Sequence, residues 1–167
     1  MIGKDDVHSV ERGITLDSDI AELERLKIFV DEFCEGESLP EEICYPLHVA
    51  LEELVLNTMK YGRCEPAKGA IRLAMKRQAD EVIVELSDTG ISFNPLEAAA
   101  PDFSSDVLDR QVGGLGIHLV RNLVHSIRYE RRGGRNHLYF TKRISPVPGA
   151  ARPEGETHAN GNGDNQS

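Results

Sequence analysis

The apolar positions of the chain change period several times, and each change marks an element. Val10 to Leu16 reads as a short strand, after which Leu23, Leu26, Val30 and Phe33 recur at helical spacing. Asp17 or Ser18 can cap that first helix, and Glu35-Gly36-Glu37-Ser38 ends it. Leu47, Ala50, Leu51, Leu54, Val55 and Thr58 form the stripe of a second helix, which Gly62 stops. Pro40 and Pro46 are better tolerated in a first turn than mid-helix, so its regular part is expected to start near Cys44 to Pro46. Alternation through Ile71-Arg72-Leu73-Ala74-Met75-Lys76 and again from Val82 to Leu86, around Ala79-Asp80, predicts an antiparallel hairpin of central strands. Leu115 to Val124 read as a third helix, and Ser126 to Arg132 with Arg135 to Ile144 as a terminal hairpin around Gly133-Gly134.

This order predicts an α/β two-layer sandwich, with helices on one face of a mostly antiparallel mixed sheet. Between the central strands and the third helix, Asp88 to Gly113 form a connection with few periodic apolar positions. Connections beyond about 12 to 15 residues usually serve as lids or binding loops, and a lid is expected here. From Ser145 the chain turns to Pro, Gly, Ala, Asn and Glu and offers no large apolar anchor beyond Val147, so a disordered tail is expected. The expected division is an N-terminal extension over 1–9, one domain over 10–144 and a tail over 145–167.

Composition narrows the classes of partner. With 167 residues and 40% hydrophobic content the chain suits a single core. A formal net charge of -9 disfavours nucleic acid as a partner, because that affinity needs Lys and Arg to displace counterions from phosphates. No apolar run approaches the roughly 20 residues of a membrane span, and the first residues lack the order of a secretion signal, so a cytoplasmic protein is expected. The 3 cysteines, Cys34, Cys44 and Cys64, show no C-x-x-C spacing and read as reduced and structural. His48, His118 and His125 read as partly exposed helix residues. Arg128, Arg131, Arg132, Arg135, Lys142 and Arg143 cluster on the terminal hairpin, either as a solvated surface or as a docking site for an acidic partner.

Three stretches carry candidate chemistry. Glu53 and Asn57 stand four apart on one side of the second helix, beside Val49, Leu56 and Lys60. A solvated helix face has that pattern, but so does a nucleotide face, where Asn offers a carbonyl oxygen to Mg²⁺ and Glu a carboxylate that can deprotonate a hydroxyl. In Ser87-Asp88-Thr89-Gly90-Ile91-Ser92-Phe93 an aliphatic strand ends in an acid and a glycine turn. Asp and Gly are ordinary turn residues, yet a carboxylate there can also accept a hydrogen bond from an exocyclic amine such as that of adenine. Val112-Gly113-Gly114-Leu115-Gly116-Ile117 opens the third helix, where glycines admit a phosphate chain and free N–H groups favour its charge. It matches neither the dinucleotide fingerprint nor the P-loop.

In this order, and on a helix, a strand end and a loop-to-helix junction, the three stretches together resemble the GHKL superfamily of ATP-binding domains. Glu53 to Asn57 correspond to its N box, Asp88 to Phe93 to its G1 box and Gly113 to Gly116 to its G2 box. The likeness is nearest to the stand-alone anti-sigma-factor serine/threonine kinases of the RsbW kind and runs from about Ile14 to Arg143. It includes Leu47-His48-Val49-Ala50-Leu51-Glu52-Glu53, Lys60-Tyr61-Gly62 and Gly133-Gly134-Arg135-Asn136.

The resemblance implies a Bergerat-type fold in which Asn57 holds Mg²⁺, Asp88 and Gly90 receive the adenine, and Gly114 and Gly116 embrace the phosphates. Lys60, Phe93, Gly113 and Leu115 complete the implied ATP site, and Glu53 is the implied catalytic base. Implied partners are a STAS-type anti-anti-sigma protein, which is phosphorylated on serine, and a sigma factor that is bound when that protein is unavailable. A homodimer is implied as well. An ATP-binding interaction module without phosphotransfer, or a scaffold with a degenerate site, are the alternatives. Two positions depart from the family pattern: Ser92 stands where the G1 box often has Pro, and Asn136 with His137 where a Thr often assists adenine binding.

Overall fold

The computed structural model describes residues 10–62, 68–97 and 115–144. The expected N-terminal extension, most of the expected lid, Cys64 and the tail lie outside the described residues. In chain order the elements are β1 (Arg12–Leu16), α1 (Glu22–Gly36), α2 (Glu41–Tyr61), β2 (Ile71–Gln78), β3 (Glu81–Asp88), a short 3-10 turn (Pro95–Glu97), α3 (Leu115–Leu123), β4 (Ser126–Arg132) and β5 (Arg135–Arg143). The strands form one sheet in the order β1-β2-β3-β5-β4. Every pairing is antiparallel, so the described strands form no mixed sheet.

Alternation gives this sheet two chemically different faces. Ile71, Leu73 and Met75 of β2, Val82, Val84 and Leu86 of β3, and Leu138 and Phe140 of β5 are all buried. Against them pack Leu26, Val30 and Phe33 of α1, Leu47, Ala50, Leu51, Leu54 and Val55 of α2, and Ile117 and Val120 of α3. Each large aliphatic side chain taken from water there contributes about 1.5–3 kcal/mol, which is why the helices lie on this face. Most of the alternate positions are less buried, among them Arg72, Glu85 and Tyr139.

Both helix starts differ from expectation, and each for a tertiary reason. α1 begins at Glu22 without a side-chain cap. Asp17 instead accepts the Gly69 N–H at 2.7 Å, tying the end of β1 to the approach to β2, while a turn from the Asp19 carbonyl to the Glu22 N–H leads into the helix. α2 begins at Glu41, earlier than expected, and carries Pro46 inside it. The Pro40 carbonyl accepts from the N–H groups of Ile43 and Cys44 at 2.9 and 3.1 Å, and Glu41 and Glu42 place negative charge at the positive end of the helix. Pro46 removes one intrahelical bond, a cost offset by the many apolar side chains that α2 buries.

Two outcomes follow from this packing. Leu51 is fully buried between the layers, so Leu51→Ala should lower unfolding free energy in urea by about 2–5 kcal/mol. Burial, followed by a contact with Cys44, pushes the Cys34 thiol well above its ordinary pKa. Since only the thiolate is nucleophilic, iodoacetamide at pH near 8 should leave Cys34 unmodified in the folded protein and alkylate it after denaturation, as read by peptide mass spectrometry.

Candidate nucleotide-binding site

The site is set by strand register. Asp88, the last residue of β3, lies opposite Asn136 of β5, which in turn lies opposite Arg131 of β4. Asp88 shares the helix-facing side of the sheet with Leu86 and Val84, as Asn136 does with Leu138 and Phe140. Both polar side chains are deeply buried, at 7% and 5% exposure, so both need hydrogen bonds. Asn136 Nδ2 donates to Asp88 Oδ1 and to the Ile91 carbonyl, each at 2.8 Å. Asn136 Oδ1 accepts from the Tyr129 hydroxyl at 2.8 Å and from an Arg131 nitrogen at 2.7 Å. Asp88 Oδ1 also accepts the Gly90 N–H at 2.8 Å.

The end of β3 is pressed against the end of α2. The Ile91 N–H donates to the Gly62 carbonyl at 2.8 Å, and a Cβ at Gly90 would overlap that carbonyl oxygen. Gly90 is therefore required by close backbone approach rather than by an unusual turn. Arg131 closes the same corner by donating to the Gly90 carbonyl at 3.0 Å.

One turn back along α2, Glu53 and Asn57 are half-buried and face the start of α3. A Cβ at Gly116 would overlap the Glu53 carboxylate and come within 3.7 Å of Asn57 Nδ2. The glycine at this helix start thus leaves room for the two polar side chains that the spacing on α2 singles out. Asn57 and Asp88 line one pocket with Leu54, Thr58, Phe93 and Tyr129. Its cavity measures about 20 Å³, room for one water.

The residues singled out from sequence fall into three groups. Glu53, Asn57, Asp88, Gly90, Phe93 and Gly116 gather around this corner. Phe93 stacks on Tyr61 with ring centroids 5.6 Å apart. Lys60 is exposed, with its ammonium 5.1 Å from the centre of the Tyr61 ring, and does not line the pocket. Leu115 is the first residue of α3, while Gly113 and Gly114 lie outside the described residues. Sequence reasoning missed Tyr129 and Arg131 as neighbours of Asp88. Their signal was parity: with Ile127, they occupy the positions of β4 opposite Phe140, Leu138 and Asn136.

The basic cluster on the terminal hairpin is divided between the faces. Arg131 turns to the site, and Arg135 donates to the Ser87 carbonyl at 3.3 Å. Lys142 donates to the Leu123 carbonyl at 2.7 Å, and burial lowers its pKa. Arg128 and Arg132 lie 3.6 Å from Glu130, and Arg143 lies 3.4 Å from Glu81, so much of the apparent positive charge is matched locally. His48 pairs with Asp31 and His137 with Glu85, each at 2.8 Å. His118 and His125 are exposed.

No group of three or more His, Cys, Asp or Glu able to hold a metal occurs among the described residues. The donor set at Glu53 and Asn57, a carboxylate and an amide, fits Mg²⁺ of the kind held by one or two protein oxygens together with phosphates and water.

Comparison with known proteins identifies the family of the fold. The family described as histidine kinase-like ATPase domain matches residues 16–142. The serine/threonine-protein kinase BtrW of Bordetella bronchiseptica is 29% identical over 102 residues, covering 61% of this chain and 72% of BtrW. In fold, the chain is similar to the crystal structure of the RsbU and RsbW domains of Rv1364c from Mycobacterium tuberculosis, with a TM-score of 0.61 and 18% identity. That likeness covers 82% of this chain and 33% of the Rv1364c chain, so this chain spans about a third of that protein's length. The family match, which spans most of the chain, makes it a member of the histidine kinase-like ATPase domain family.

Proposed function

We propose that this protein binds Mg-ATP at the corner between β3, α2 and α3 and transfers the γ-phosphoryl group to a serine or threonine of a protein partner. The observation that carries the reading is the fit of Gly116 against Glu53 and Asn57, the last of which lines a pocket together with Asp88. Membership of an ATPase family and likeness to a protein named a serine/threonine kinase support it. The partner proposed is a STAS-type anti-anti-sigma protein, with a sigma factor bound when that partner is unavailable. No described helix is long and apolar enough to cross a membrane. A cytoplasmic site of action is part of the proposal.

The chain's own residues have separable tasks. Asp88 accepts the exocyclic amine of the base, and Leu54, Leu86 and Phe93 supply the apolar walls around the ring. The described cavity has room for one water, so this reading requires its walls to open to admit a purine. Asn57 would hold the metal through its amide oxygen, and the N-terminus of α3 would favour the phosphates. Bound Mg-ATP supplies the phosphoryl group and neutralises much of its charge. Glu53 accepts the proton of the attacking hydroxyl and so orients that oxygen toward the phosphoryl group.

Two substitutions test these tasks with γ-labelled ATP and a STAS-type partner. Glu53→Gln should cut label transfer by about 100-fold or more while ATP affinity stays within a few fold, since it removes the base and keeps the shape. Label transfer that survives Glu53→Gln would remove Glu53 from the chemistry, and ATP binding with no transfer by the unaltered protein would favour an interaction module. Gly116→Ala should leave thermal stability unchanged or slightly raised, because Ala suits a helix better than Gly by about 1 kcal/mol and the Glu53 carboxylate can swing aside. Transfer should nevertheless fall, since the displaced carboxylate is the proposed base; full activity in this variant contradicts the assigned geometry.

A further inference from the structure

We propose that Asn136 is a positioning residue that sets the base selectivity of the pocket, by holding Asp88 in place for an exocyclic purine amine. The inference rests on the nucleotide reading above and deepens it.

A carboxamide has two N–H donors and an oxygen with two acceptor directions, and Asn136 uses them all. Both N–H groups serve acceptors, Asp88 Oδ1 and the Ile91 carbonyl, each at 2.8 Å. Its oxygen serves two donors, Tyr129 and Arg131, at 2.8 and 2.7 Å. The amide cannot turn over. A flip would point its oxygen at the Asp88 carboxylate and the Ile91 carbonyl, and its N–H₂ at the Arg131 guanidinium.

The locked amide acts on the base through Asp88. Arg131 polarises the group it donates to, and that strengthens the donation from Asn136 to the carboxylate. With the Gly90 N–H as the second donor to Oδ1 at 2.8 Å, hydrogen bonds from a backbone and from a fixed side chain hold the carboxylate at that oxygen. A carboxylate held this way meets an amine as donor to acceptor. A base with a keto oxygen at the same ring position would meet it as acceptor to acceptor, and a fixed Asn136 cannot reorient to relieve the repulsion. Sites built on buried polar groups reject a mismatched partner strongly because the mismatch leaves those groups unpaired.

The test is displacement of a fluorescent ATP analogue from the full chain, in Mg²⁺, by ATP or by ITP, whose base carries a keto oxygen in place of the amine. The unaltered protein should prefer ATP. In Asn136→Leu, similar in size but unable to bond, the ATP-to-ITP preference should fall about 10-fold, through weaker ATP binding, with ITP affinity within about threefold. Asn136→Thr keeps a single donor for Asp88, and its preference should lie between the two; it decides the matter should the leucine variant fail to fold. An unchanged preference in the variants, or equal weakening of both nucleotides, makes Asn136 merely structural and overturns the proposal. If the unaltered protein binds neither nucleotide, the nucleotide reading fails with it. A preference for ATP that is undiminished in the variants defeats only the role of Asn136.

Discussion

The antiparallel register that sets Asp88 opposite Asn136 is the constraint on which the site depends. Side chains alternate along a strand, so a slip of one residue would send Asp88 to the far face of the sheet and Leu86 with it. The register is held because Val82, Val84 and Leu86 on β3 and Leu138 and Phe140 on β5 bury their side chains on the same face as Asp88 and Asn136. The apolar core that stabilises the fold is therefore also what aims the polar residues. Stability and site geometry cannot be separated at these positions.

Burial has a second consequence. Polar groups withdrawn from water hold firm positions only when their hydrogen bonds are made, and a partly satisfied network would be worse than an apolar one. Around Asp88 the bonds come from backbone and side chains of β3, the segment that follows it, β4 and β5. Around the site, two glycines achieve what larger residues could not. Gly90 lets the segment after β3 lie against the end of α2, and Gly116 lets α3 start against Glu53. Both contacts join parts of the chain far apart in sequence.

Much of this was legible in the sequence wherever the information is local. The stripe from Leu47 to Val55, the alternation of β2 and β3 and the Gly133-Gly134 hairpin follow from spacing alone, and Glu53, Asn57, Asp88, Gly90 and Gly116, which gather at one corner, all belong to motifs that stand out in the sequence. Helix starts were less legible. Asp17 looks like a cap but serves Gly69, which is 52 residues away, and Pro46 looks like a boundary but sits inside α2, whose packing tolerates it. The bond from Asn136 to Asp88 spans 48 residues and depends on pairing between strands that no local pattern specifies. The partners of Arg131 were hidden for the same reason: its direction is decided by the parity of β4, which only the register reveals.

The central claim is that Asp88 reads the amine of a purine nucleotide whose phosphates lie near Asn57 and Gly116. Calorimetric titration of ATP in the presence of Mg²⁺, with the unaltered protein and with Asp88→Asn, tests it most directly. The account predicts measurable binding that the asparagine variant weakens by at least about 10-fold, because an amide presents the amine with a poorer acceptor or with a competing donor. Heat-silent titration of the unaltered protein, confirmed by an absence of thermal stabilisation, or equal affinity in the two proteins, would contradict it.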